Sequence, residues 1–153
     1  MLEFMLLGIP MLCVTTSIMC MALDAWQLWS LSYATDSTAR YISMHGATCE
    51  QNGNNCAITT GQVAAYFENQ ASALSSGSVN VTLADSSGTT SCNPVSTCAS
   101  GLAYFPASSA NSVGSDITVQ ATYQLTNPIF MLWGNVNGDN YTVGAKSRVR
   151  VQF

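Results

Sequence analysis

Polarity divides the chain in two. From Phe4 to Leu23 no residue carries a charge, and the helical pattern then continues past Asp24 through Trp26, Leu28, Trp29, Tyr33, Arg40 and Tyr41 to Gly46. A membrane anchor needs about 20 apolar residues and can then stop. A helix over 2–46, roughly 45 residues at 1.5 Å each, is ~68 Å long and runs well beyond a bilayer. Pro10 lies within its first three turns, removes a backbone donor and is expected to kink or loosen the helix there. Gly46 suits the position just past the helix end, and His45 lies where a cation favours the C-terminal dipole.

Beyond residue 48 the period changes. Glu50 to Asn55 reads as a turn-rich loop. Thr59 or Thr60 can cap a second helix over 60–75, with Val63, Ala64, Phe67, Ala71 and Leu74 on one face. Val79, Val81 and Leu83 then alternate with polar residues, as do Ile117, Val119, Ala121, Tyr123 and Leu125. In the last segment Val143, Ala145, Val149, Val151 and Phe153 share one face, and Thr142, Lys146, Arg148, Arg150 and Gln152 the other. Period-two patterning of this kind predicts an antiparallel sheet with one covered face and one wet face. Residues 85–101 read as a Ser/Gly/Thr-rich loop, and Asn137-Gly138 as the turn before the final strand. The expected fold class is α+β: a long N-terminal helix (residues 1–47) and a globular domain (residues 48–153) with three or four antiparallel strands. The distal half of the helix is the natural cover for the sheet's apolar face.

Composition narrows the possible partners. Charged residues are 8% of the chain, and four basic residues give a net charge of −4, against about 25% charged in ordinary soluble domains. Such a chain is not expected to bind nucleic acid or to dock on lipid through a polybasic patch. Of the six cysteines, Cys13 and Cys20 lie in the apolar helix, and Cys49, Cys56, Cys92 and Cys98 lie in polar, turn-rich segments. Close pairs downstream of a membrane segment point to disulfides in an oxidising compartment. Local pairing, Cys49 with Cys56 and Cys92 with Cys98, closes two short loops and is one of the three connectivities that four cysteines allow. Zinc is the rival reading, but there is no Cys-x2-Cys spacing and His45 is the single histidine. No metal or other cofactor is expected.

Few constellations carry chemistry. With one histidine, no usefully spaced carboxylate pair, no nucleophile elbow and no phosphate loop, no catalytic residues are assigned and no enzymatic activity is expected. Asn135 to Asn140 resembles a fragment of a calcium loop but lacks the bidentate glutamate, so a plain turn is expected. Asn80-Val-Thr and Asn140-Tyr-Thr are glycosylation sequons whose use depends on the host. Asp36 and Arg40 are spaced as a helix surface pair. Lys146, Arg148 and Arg150 form a basic row, read as a solvated outer face or, alternatively, as a contact for acidic groups on a neighbouring subunit. Along the long helix Cys13, Ser17, Cys20, Asp24 and Gln27 make a small, polar seam of the kind that lets helices approach closely in lipid. Glu3 is either a solvated residue complementing the helix dipole or a charge that is buried on bundling and pairs with a neighbour's N-terminal amine.

Glu3-Phe4, the apolar run with Pro10, and the amphipathic extension from Asp24 to Arg40 resemble the TadE-like pilin family, type IV pilin relatives of tight-adherence systems. The tail is similar as well: the alternation of 116–125, Pro128, an apolar connector, and a last strand from Tyr141 to Phe153. The resemblance covers the first 46 residues and the last 38, and leaves the middle unmatched. It implies a type IV pilin-like fold and a precursor cut by a prepilin peptidase at the inner membrane. Assembly machinery would then extract the chain into an extracellular helical homopolymer, a structural filament for surface attachment. Glu3 and Phe4 would stand at the family's assembly positions, although the glutamate is third here rather than fifth and no basic leader precedes it. Either the chain is already processed or its numbering omits the leader. Two other roles fit the same pattern: a minor tip or initiation pseudopilin, and a membrane-anchored periplasmic binding module that never polymerises.

Overall fold

The computed structural model describes residues 2–45, 57–125 and 141–152, with side chains from Leu7 onward. One helix, α1, runs Leu2–Met44 without a break, through Pro10. A second, α2, spans Thr60–Gln70. Four strands follow: β1 Val79–Ala84, β2 Thr89–Cys92, β3 Asp116–Leu125 and β4 Tyr141–Arg150. They form one antiparallel sheet in the order β2-β1-β3-β4. The result is the expected α+β arrangement, a long N-terminal helix packed on a small antiparallel sheet, consistent with a pilin-like fold.

The sheet buries one face, as its alternation predicts. Val81 stands opposite both Cys92 and Ala121, and Ala121 stands opposite Ala145. Val79, Leu83, Ile117 and Val119 lie in the same buried layer. The cover is the distal half of α1, where Leu31, Ala34, Thr35, Thr38, Ala39, Ile42 and Ser43 are all buried. Their i, i+3, i+4, i+7 spacing is one stripe of a 3.6-residue helix. Ser147 interrupts the apolar alternation of β4 for a reason: it faces the helix, and its hydroxyl donates to Asp36 Oδ1 at 3.1 Å.

Three local features differ from the sequence reading. The long helix ends at Met44; His45 is in a bend, where its Nδ1–H donates to the Tyr41 carbonyl at 2.8 Å. α2 stops at Gln70 rather than 75, because the backbone leaves the helical region at Ala71 (φ −89°, ψ 36°) and a turn carries Leu74 to the core's edge. Residues 85–101 are not all loop. Thr89–Cys92 pairs with β1 although three of its four residues are exposed and show no apolar alternation.

The start of α2 shows how the middle of the chain is tied down. Thr59 and Gln62 form a reciprocal capping box. The Thr60 and Gly61 N–H groups donate to the carbonyls of Ala103 (2.8 Å) and Gly101 (3.0 Å). The loop that supplies those carbonyls leaves the Cys92–Cys98 disulfide. A bridge closing so short a loop is worth roughly 2 kcal/mol by loop-closure entropy. The Cys49–Cys56 pairing, Gly46, the Asn137-Gly138 turn and the calcium-like fragment lie outside the described residues.

Candidate assembly surface

The N-terminal half of α1 is largely exposed. Leu7 is 76% exposed and Trp29 75%, and Ile9, Met11, Leu12, Val14, Ile18, Met19, Met21 and Leu23 are also exposed. By length and composition α1 can cross a membrane, and none of its most apolar window is buried. The consecutive hydroxyls Thr15, Thr16 and Ser17 interrupt this surface, and each turns back on its own helix. Thr15 Oγ1 donates to the Met11 carbonyl (3.1 Å), Thr16 Oγ1 to Leu12 (2.9 Å) and Ser17 Oγ to Cys13 (2.7 Å). A hydroxyl bonded in this way adds no unsatisfied donor to an apolar surrounding.

Each expected assembly residue falls on this helix. Glu3 and Phe4 lie in the first turns of α1, with side chains outside the described set. Pro10 lines a shallow apolar recess of about 510 Å³ with Leu7, Gly8, Met11 and Val14. Cys13 is exposed and Cys20 half-buried, and both are free thiols. Ser17, Asp24 and Gln27 are half-buried. At about 100° per residue, the seam 13, 17, 20, 24, 27 continues directly into 31, 34, 38 and 42, the stripe packed on the sheet. The seam is therefore the upward extension of the face that α1 turns to its own domain. The sequence reading stopped at Gln27, although the same spacing carries on.

Other surfaces hold less chemistry. Lys146, Arg148 and Arg150 lie on the exposed face, as the solvated reading expects, and both arginines donate to Asp116 on the adjacent strand. The hydrogen bond from Arg148 is the main reason that the Asp116 carboxyl sits below its usual range, with Arg150 adding to it. Asp36 and Arg40 form the expected exposed pair at 2.9 Å. Between α1 and α2, Tyr41 stacks on Tyr66 with centroids 4.2 Å apart and also meets the His45 ring. An open groove of about 420 Å³ beside them is lined by Tyr33, Asp36, Arg40 and Met44. The sequence reading did not find this groove, because Tyr41 and Tyr66 are brought together only by helix packing. Among the described residues no three His, Cys, Asp or Glu side chains gather as a metal site.

Compared with family models, curated proteins and solved structures, the chain matches none.

Proposed function

We propose that this chain is a TadE-like structural pilin subunit that polymerises through α1 into an extracellular bacterial filament serving surface attachment. One observation carries the reading. An exposed, largely apolar helix surface from Leu7 to Trp29 continues, in one unbroken helix, into a helix half that is packed on the chain's own sheet. A surface of that size needs cover. Lipid supplies it before assembly, and sibling helices supply it afterwards. With the distal half of α1 over it, the sheet has a closed core and a disulfide, so this part needs no further partner to stay in solution. In this reading the seam and the recess at Pro10 are where neighbouring helices approach, and Glu3 pairs with a neighbour's N-terminal amine. The partners are further copies of the chain, the inner-membrane assembly machinery and a prepilin peptidase. No catalytic step is assigned.

Electron microscopy of surface-sheared material, with the full chain beside a shorter one beginning at Ser30, tests the reading. The full chain should give rods. The shorter chain keeps the residues that cover the sheet and should be a folded, soluble monomer. Rods from the shorter chain would move the assembly surface into the sheet domain and refute the role given to α1. A full chain that never polymerises would favour a membrane-anchored module.

A further inference from the structure

Leu31, Thr38 and Ile42 face the sheet, and the opposite side of α1 carries Trp26, Trp29 and Tyr33, spaced i, i+3, i+7 and exposed by 57%, 75% and 57%. Tyr33 borders the groove beside Tyr66, but Trp26 and Trp29 stay more than half exposed, and a tryptophan three-quarters exposed is unusual on a surface meant only for water. Their position along the helix is informative. The charge-free run Phe4–Leu23 measures about 30 Å at 1.5 Å per residue, the thickness of a hydrocarbon core. Trp26 and Trp29 then lie about 4.5 and 9 Å beyond Leu23 along the axis, and the polar layer of a bilayer leaflet is about 5–8 Å deep. Trp26 falls among the ester carbonyls and headgroups and Trp29 at the outer edge of that layer, a setting suited to an apolar ring with one N–H donor.

We propose that Trp26 and Trp29 form an interfacial lipid-binding face that sets how deeply the chain sits in the bilayer before assembly. The occupant is the headgroup–carbonyl layer itself. There is no cluster of Lys or Arg near the face, and four basic residues in the whole chain give no electrostatic handle, so the binding needs no anionic lipid. Because the indoles occupy one side of α1 and the domain the other, lipid reaches them unobstructed. This inference rests on the pre-assembly membrane state proposed above and does not depend on filament formation.

The test is indole fluorescence of the full chain reconstituted in phosphatidylcholine vesicles, with bromines placed near either the carbonyl or the methyl end of the acyl chains. The double variant Trp26→Phe/Trp29→Phe, measured in parallel, isolates the two indoles from Trp133. Bromines near the carbonyl end should quench the difference signal about twofold or more over those near the methyl end, with blue-shifted emission. No quenching from either position would leave the indoles in water and overturn the proposal. Stronger quenching from the methyl end would place them in the hydrocarbon core and overturn it too. Vesicle co-sedimentation reads insertion separately: a chain that fails to insert removes the membrane span and this proposal together. A chain that inserts with wet indoles removes only the proposal.

Discussion

Gly61 is the position where two opposing effects can be separated by the sign of one measurement. It lies in the first turn of α2, where alanine would ordinarily stabilise a helix by about 0.5–1 kcal/mol. A Cβ there would stand 2.7 Å from the Ala99 carbonyl oxygen and 2.9 Å from that of Gly101. Both neighbours are backbone, so no side-chain rotamer relieves the contact. The loop must retreat, at an overpacking cost of about 1–3 kcal/mol. Retreat also stretches the Gly61 N–H bond to Gly101, now 3.0 Å long, whose loss costs about 0.5–1.5 kcal/mol. The balance is a destabilisation of about 1–3 kcal/mol for Gly61→Ala, and in a chain of this size each kcal/mol moves the melting midpoint about 2–4 °C. Near-UV circular dichroism of the full chain in detergent, followed on heating, reads it. Gly77→Ala is the control, since nothing lies within 4 Å of a Cβ placed there. A Gly61→Ala midpoint equal to or above that of the native chain would refute the argument, because the loop would then yield at no cost.

Three further outcomes are expected. Glu3→Ala and Glu3→Leu should insert in membrane yet assemble poorly, because an unpaired carboxylate or amine left in a helix bundle costs several kcal/mol; normal filament yield from both would remove the proposed role. Thr38→Val should stabilise the chain by about 1 kcal/mol, read as a higher urea midpoint at unchanged slope, since the Thr38 hydroxyl is fully buried without a partner among the described residues; a lower midpoint would mean that the hydroxyl is satisfied. Burial raises the Asp85 pKa, but hydrogen bonds from the Ser87 hydroxyl and the Ala107, Ser87 and Gly88 N–H groups outweigh it and hold the carboxyl below the usual 3.8. A depressed folded-state pKa gives stability that is present above the unfolded value and lost as pH falls through the folded one. The native chain should therefore lose stability as pH falls below about 4, and Asp85→Asn should be weaker by about 1–2 kcal/mol at neutral pH, with a flatter acid limb; superimposable acid limbs would contradict this.

Much of the fold was legible because burial and period coincide. The alternation of 79–83 and 116–125 marks the sheet's inner face, the absence of charge over 4–23 marks the exposed helix, and a threonine at 59 or 60 ahead of the apolar stripe marks the start of α2. β2 was hidden because Thr89, Thr90 and Ser91 carry no apolar signal. Pairing with β1 holds that strand, together with the turn in which Asp85 Oδ1 accepts from Ser87 and Gly88. The end of α2 was misplaced because Ala71 and Leu74 keep the helical spacing of contacts while the backbone has already unwound. The Cys92–Cys98 bridge is the local pairing expected among the three connectivities, from close spacing downstream of a membrane-length helix. The Asp116 contact with Arg148 and Arg150 did not, because register brings those residues together from more than thirty positions apart.

The unbroken course of α1 means that the chain has no swivel between its apolar rod and its domain. Depth and azimuth are then one variable. A single residue added between Asp24 and Leu31 would lift everything beyond it by about 1.5 Å and turn it by about 100° relative to the apolar rod. Seven added residues would restore the bearing to within about 20°. The segment between the two halves of α1 is thus counted in turns rather than in residues. Its length is a phase, and that phase sets which way the domain points once the rod is fixed.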